Sequence, residues 1–341
     1  MEPQKKVDEY TRYCITQEGK EYLRKLLAKN EQDSSALEED ECEVNMQEEI
    51  DFENLRIIDD EIEELSDEEF FSDEYYNDEF FVVGDDANYV LCLNKTFNET
   101  RKINLFEFDG IRIPKVDKPD LECATILNDI LYILGSGSKM PERGYVFTVN
   151  LKDNSTEKKS MHSFFSKIES QKIIQEINIE GLANYKDKLL FFNRGNTQES
   201  NHLIITSVGI FENSNTNNLS IIPIETGQLN GVNLGISDAC IDEQNDLLFV
   251  TASAEDTNNA YDDGTILGSV IGIVPNFSTQ LKEPCIKINQ VIKLGEEHTI
   301  FSAQKIEAIC ITAQSENKYH LSLVADNDDG KSVLFDIKLT I

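Results

Sequence analysis

The chain has 341 residues, with 64 Asp and Glu against 31 Lys and Arg, for a formal net charge of −33. A hydrophobic content of 40% excludes a wholly disordered chain, and the length suffices for one large domain or two small ones with a sizeable core. The acidic excess excludes nonspecific binding to nucleic acid or to an anionic membrane surface, because both need a cationic face.

The chain starts MEPQKKVDEYTRYCITQEGKEYL, with no apolar stretch behind its lysines, so a secretory signal is not expected. No run of about 18 apolar residues occurs, so no membrane-spanning helix is expected. Residues 1–37 hold seven acids and seven bases and form a short N-terminal helical segment in this reading. Within it, residues 17–28 (QEGKEYLRKLLA) place Tyr22, Leu23, Leu26 and Leu27 on one helical face. Such a helix suits docking on a partner or on the body of the protein.

Residues 38–80 hold 21 acids against a single base, Arg56. The first part, 38–51, has few large apolar residues and reads as an acidic, solvated linker. From residue 52 onward Phe52, Leu55, Ile57, Ile58, Ile62, Leu65, Phe70, Phe71, Tyr75 and Tyr76 interleave with the acids. That much apolar side chain predicts folding onto the main domain, which is taken as 52–341.

Four later segments align with one another: DLECATILNDILYILGSGS (120–138), NIEGLANYKDKLLFFNRGN (178–196), SDACIDEQNDLLFVTASAE (237–255) and KIEAICITAQSENKYHLSLVADNDDG (305–330). Each opens on a carboxylate: Glu122, Glu180, Asp238 and Glu307, spaced 58, 58 and 69 residues apart. A short strand, a polar turn and a second apolar strand follow. In three copies a leucine falls nine residues after the carboxylate (Leu131, Leu189, Leu247), and in the fourth Leu321 takes that place. A weaker fifth copy, EYYNDEFFVVGDDANYVLCLN (74–94), has Phe71 or Ser72 where the opening acid should be.

A strand-and-turn repeat of this length predicts an all-β fold, a β-propeller with one four-stranded blade per unit. Single blades cannot cover both of their apolar faces, so neighbours stack. The runs FFVV, LYIL, LLFF and LLFV suit strands buried on both faces. Five blades fit the length, and six stay open if 208–225 is more than the outer half of its blade. The region 52–65 is expected to supply the strand that closes the ring.

There are seven cysteines, an odd number, with no CxxC spacing. Cys92, Cys123, Cys240 and Cys310 lie in apolar runs, where Cys acts as a small hydrophobe. A reducing, cytoplasmic setting is expected, with no membrane and no nucleic acid as partner.

The motifs DKPDLE (117–122), GSGS (135–138), INIEGL (177–182), NRGN (193–196), SDAC (237–240), AEDTNNAYDDG (254–264), KIEAI (305–309) and VADNDDGKS (324–332) resemble a bacterial β-propeller family of unknown function, allied to the phytase-like and SdiA-regulated propeller groups. The resemblance spans about 250 residues and implies the fold. It leaves out the first 50 residues. Separately, YCITQEGKEYL is similar to the closing strand and helix of winged-helix domains, but the rest of such a domain is absent.

If each opening strand lines the channel, Glu122, Glu180, Asp238 and Glu307 converge near one mouth. Like charges at close range need compensation. Calcium, a hard cation taking six to eight oxygen ligands, would supply it, and phytase-like and lactonase-like propellers hold Ca²⁺ in this general place. The competing reading is that each acid accepts backbone N–H groups of the next blade or pairs with a base such as Arg194. The loops carrying Asp85 and Asp86, Asp262 and Asp263, and Asp326, Asp328 and Asp329 read as ordinary blade turns or as a lip over the channel. DNDDG (326–330) lacks the Glu and flanking helices of an EF-hand. No GxSxG occurs, GSGSK fails the P-loop spacing, and the four histidines share no metal spacing.

Two functions follow. One is a cytosolic binding module with an acidic, calcium-accepting channel and a protein partner contacted through residues 1–45. The other is a metal-dependent hydrolase, of phosphoesterase or lactonase type, working in the channel. The candidate channel residues are Glu122, Glu180, Arg194, Asp238, Asp262, Asp263, Glu307 and Asp326, with Glu122, Glu180, Asp238 and Glu307 as the metal set.

Overall fold

The computed structural model describes residues 72–341 apart from 86, 110–112, 115, 213–218, 257–264, 289 and 327–330, together with the backbone of 9–10 and 49–51. Hairpin chemistry builds the first blade. The pair Asn77 and Asp78 adopts φ of 51° and 69°, the left-handed turn that Asn and Asp tolerate best and that matches strand twist. This joins β3 (Ser72–Tyr76) to β4 (Glu79–Val83), and β5 (Tyr89–Asn94) and β6 (Glu99–Asn104) complete the sheet. Blade two repeats the device at Asn128 and Asp129, with β7 (Leu121–Leu127), β8 (Ile130–Gly135), β9 (Tyr145–Asn150) and β10 (Thr156–Ser160).

Blade three holds β11 (Ile179–Tyr185), β12 (Lys188–Asn193), β13 (Asn201–Ser207) and β14 (Ser220–Glu225). Blade four holds β15 (Gln228–Leu229), β16 (Val232–Asp242), β17 (Leu247–Asp256) and β18 (Thr265–Pro275). A loop from blade four adds β19 (Ile286–Lys287) to the edge of blade three, and β20 (Gln290–Lys293) then closes blade four itself. Blade five is β21 (Ile306–Ser315), β22 (Lys318–Asp326) and β23 (Lys331–Thr340). The count is therefore five, and 208–225 contributes a single 3₁₀ turn and β14, the fourth strand of blade three.

Strands β3, β7, β11, β16 and β21 pack side by side in a closed ring around the channel. The apolar runs work as interleaved layers. In blade one Phe81 and Val83 face blade two, while Phe80 and Val82 face blade five. In blade two Leu131 and Ile133 face back to blade one, and Tyr132 and Leu134 face blade three. Five such clusters, one per blade junction, make the core. Each buried Leu, Ile or Phe contributes about 1.5–3 kcal/mol of transfer free energy, which is why the runs are continuous rather than alternating.

The turn aspartates do more than turn. Asp129 of blade two accepts the Tyr76 hydroxyl of blade one. Asp246 of blade four accepts Tyr185 of blade three at 3.0 Å. One helix that the strand-and-turn reading missed, α1 (His162–Gln171), bridges blades two and three and buries Phe164, Phe165 and Ile168 between them.

Ring closure is described only in part. The region 52–65 and the helix expected at 17–28 lie outside the described residues. The pairing that is described comes from the flanks: β1 (Glu9–Tyr10) runs parallel to β23 at Lys331 and Ser332, and β2 (Glu49–Asp51) runs antiparallel at residues 338–340. β1 and β2 thus pair along the outer edge of the last blade, and the acidic stretch 38–51 ends in a strand.

Candidate functional site

All five inner strands enter the ring at one end, called the upper mouth here. Just after entry, three of them carry a β-bulge, and the bulged residue is a glutamate: Glu122, Glu180 and Glu307. A bulge takes a residue out of the ladder and re-aims its side chain. In blade four the bulged residue is Ser237, not Asp238. Asp238 lies one place further down, opposite Thr251, level with Cys123, Gly181 and Ala308. The cause is the turn. Blade four joins β16 to β17 through four residues, 243–246, where blades two and three use two. The nine-residue spacing to Leu247 therefore met the wrong leucine; Leu248, opposite Ile241, corresponds to Leu131 and Leu189.

Arg194 takes the space that Ser237 leaves. It donates to Ser237 Oγ at 2.9 Å and to Glu255 Oε2 at 3.2 Å, and its guanidinium lies 3.8 Å from both Glu180 and Glu307. Two glycines permit this crossing from blade three to blade four. A Cβ at Gly195 would lie 2.4 Å from the Glu199 carbonyl, and one at Gly235 would lie 2.9 Å from Arg194 Nε. Lys305 pairs with Glu307 at 2.7 Å and approaches Glu255 at 3.9 Å. Asn178 donates to Glu180 at 2.6 Å.

A second group stands beside it. Asp85, Asp120 and Glu122 each bring one carboxylate oxygen within 4.8 Å of the others. Lys118 pairs with Asp85 and lies 3.2 Å from Asp120. Arg143 meets Asp120 at 2.5 Å, and the Ser136 hydroxyl also donates to Asp120. Asp85 Oδ1 is buried without a hydrogen-bond partner. Among the described residues the upper mouth thus holds six carboxylates (Asp85, Asp120, Glu122, Glu180, Glu255, Glu307) and four cations (Lys118, Arg143, Arg194, Lys305).

Acidity follows these pairings. Burial, helped by repulsion from Asp120 and Glu180, pushes the Glu122 carboxyl well above the usual carboxylate range. Burial raises Glu180 to about 7 although Arg194 pulls the other way. For Glu307 burial also opposes charge, but Lys305 and Arg194 together hold it below its ordinary value. Arg194 is buried too, and its three glutamates keep it protonated, with its pKa raised.

The lower half of the channel is different. Asp73 and Glu74 of β3 stand level with Ala124 and Thr125 of β7. Asp238 accepts the Ile309 N–H of blade five at 3.0 Å, and the Cys310 thiol donates to Asp73 at 3.3 Å. The Thr125 hydroxyl bonds to Glu74 and accepts from Asn184 at 3.1 Å. Burial raises Asp73 to about 7 and lifts Glu74 and Asp238 well above the ordinary range, and the three carboxylates repel one another.

Of the four acids expected to converge on one metal, Glu122, Glu180 and Glu307 gather at the upper mouth and repel one another, and Asp238 does not join them. Glu180 and Glu307 sit on Arg194, Glu122 belongs with Asp85 and Asp120, and Asp238 bonds to a neighbouring strand below. Asp326 is fully buried at the end of β22, where it accepts the Ser332 hydroxyl at 3.0 Å. Asp262 and Asp263 lie outside the described residues. Sequence reasoning missed Asp73, Glu74, Lys118, Asp120, Arg143, Glu255 and Lys305 as site residues. In three blades the position two before the bulge held a signal: Asn178 and Lys305 bond the bulged glutamate, and Gly235 leaves room for the Arg194 side chain.

These features define a five-bladed β-propeller with a charged, ion-paired channel. The model of a family of unknown function, DUF6929, matches residues 73–339, and the chain belongs to that family. No curated protein matches it. Among solved structures it is similar to glutaminyl cyclase of Myxococcus xanthus, with 13% identity over 81% of this chain and 92% of that one at a TM-score of 0.47. It is similar to a DUF4221 family member from Bacteroides vulgatus, with 11% identity over 77% and 75% at 0.34. Hydrazine synthase of Kuenenia stuttgartiensis gives 9% identity over 76% of this chain at 0.37, and the match spans 56% of that protein. These likenesses are too distant to carry an argument about activity. Among the described residues no helix is long and apolar enough to cross a membrane.

Proposed function

We propose that the protein is a binding propeller whose upper mouth takes up a calcium ion at Asp85, Asp120 and Glu122. One observation carries this reading: three carboxylate oxygens converge within 4.8 Å, and the buried Asp85 Oδ1 among these residues has no partner. The donors are hard oxygens, as calcium requires. Lys118 is the internal competitor, since its ammonium already neutralises Asp85 and Asp120. Calcium therefore binds by displacing an ammonium.

The test is thermal unfolding of the full chain in EDTA against millimolar Ca²⁺, with Mg²⁺ as control. A ligand restricted to the native state adds about 2.7 kcal/mol at a hundredfold excess over its dissociation constant. Lys118→Met should tighten calcium binding and Glu122→Gln should abolish the shift. No shift in either the wild type or Lys118→Met overturns the reading.

A protein partner is proposed for residues 1–45, because they lie ahead of the five blades and touch them, as far as described, only through β1. Deleting them should remove partner recovery in a pull-down and leave the melting temperature close to that of the parent. A reducing, cytoplasmic setting is supported by Cys92, Cys123, Cys240, Cys285 and Cys310, all free thiols. The hydrolase reading is favoured by one feature, the Glu180 carboxyl near neutrality. Turnover of phosphoesters or lactones that Glu180→Gln abolishes would replace the binding reading.

A further inference from the structure

Two glutamates at the upper mouth each keep one oxygen that no donor reaches. Oε1 of Glu180 accepts from Asn178, and Oε1 of Glu307 is taken by Lys305. Their Oε2 atoms both lie 3.8 Å from the same Arg194 nitrogen, beyond hydrogen-bond reach. Glu307 Oε2 is buried without a partner on a side chain that is 2% exposed. Leaving such an acceptor unpaired is costly. Glu122 belongs to the calcium group, yet it lies close enough to Glu180 and Glu307 to repel both. Lys118, Glu122, Glu180, Arg194 and Lys305 are half-buried, so solvent reaches the group.

We infer that the upper mouth binds a neutral polyol, with one hydroxyl oxygen on the calcium ion and a neighbouring O–H donated to Glu180 and Glu307. The inference rests on calcium at Asp85, Asp120 and Glu122. Three carboxylates leave calcium short of its six to eight oxygen ligands, and a hydroxyl oxygen is a hard donor of the kind it takes. A hydroxyl also brings one proton to an acceptor and lone pairs to a donor. That suits two carboxylate oxygens set around one guanidinium.

Charge selects against ionic ligands. The six carboxylates and four bases described at the mouth leave an excess of two negative charges, which one calcium ion cancels. Desolvating a further ion there gains no net attraction, whereas an uncharged ligand with adjacent hydroxyls costs far less to bury.

Calorimetric titration of the calcium-loaded full chain with sorbitol and with methyl α-D-mannopyranoside tests it. The control is 1,2-dimethoxyethane, which has adjacent oxygens and no O–H. The expected result is saturable binding of a polyol, with a dissociation constant on the order of 1 mM, lost in EDTA and absent for the diether. Glu307→Gln removes the ionised acceptor and should weaken polyol binding about tenfold, while the calcium-dependent rise in melting temperature remains. Glu180→Gln serves the same purpose if Glu307→Gln does not fold. A calcium shift without saturable polyol binding, polyol binding that survives EDTA, equal binding of the diether, or unchanged affinity in the folded variant overturns the inference and leaves the calcium reading standing. Absence of the calcium shift itself overturns both.

Discussion

The upper and lower halves of the channel are walled by the same ring of strands, yet they treat buried acids in opposite ways. In the upper mouth Lys118 and Arg143 reach Asp85 and Asp120, Arg194 reaches Glu180 and Glu255, and Glu307 is held ionised by Lys305 and Arg194. In the lower half Asp73, Glu74 and Asp238 have thiol, hydroxyl and backbone donors, and protonation relieves what ion pairing does not. The difference lies in where cations can enter. Arg194 and Lys305 come from the loops and strand starts at the mouth, whereas the lower wall is made of strand interiors whose neighbours are Ala, Cys and Leu. Buried charge is tolerated where a partner reaches it and is neutralised where none does.

The largest expected effect breaks the upper half. Arg194→Met leaves Glu180 without a base and Glu255 and Glu307 with Lys305 alone, and should cost about 3–5 kcal/mol in urea unfolding at pH 8. The loss should shrink at pH 5, where the stranded acids take up protons. Second is the pH profile set by the lower half. Asp73 has a pKa of about 7 against an ordinary 3.8, so between those values the folded chain holds a proton that the unfolded chain has released. Stability should therefore fall as pH rises from about 4 to about 7, with a slope of up to about 1.4 kcal/mol per pH unit from this group. Asp73→Asn should flatten that slope and stabilise the protein at pH 8, and a profile unchanged by this substitution would falsify the contrast between the halves.

A smaller effect belongs to the blade joints. Tyr185→Phe removes one hydrogen bond to Asp246, which keeps its bonds from Ser278, and should cost about 1 kcal/mol. The smallest is a surface control. Lys95 pairs with Asp78 at 2.7 Å with both side chains exposed, and Lys95→Ala should leave the unfolding midpoint where it was.

Much of this architecture was legible in the residues. Runs such as LYIL and LLFF bury alternate side chains in two different blade junctions, and that requirement writes a continuous apolar signal into the chain. The turns Asn77-Asp78 and Asn128-Asp129 were legible because left-handed φ selects those residue types. The glutamates Glu122, Glu180 and Glu307 recur because each begins its blade at the same bulge.

The tertiary structure alone decided which charges meet. A two-residue difference in turn length moved Asp238 down the channel and put Ser237 at the mouth, and spacing along the chain could not register that shift. Lys118 with Asp85, and Arg194 with Glu255 and Glu307, join residues from 33 to 113 positions apart. Apolar periodicity is a local property that each strand carries by itself. Ion pairing is fixed by which loops the closed ring brings to one mouth, and that is settled only when the five blades have packed.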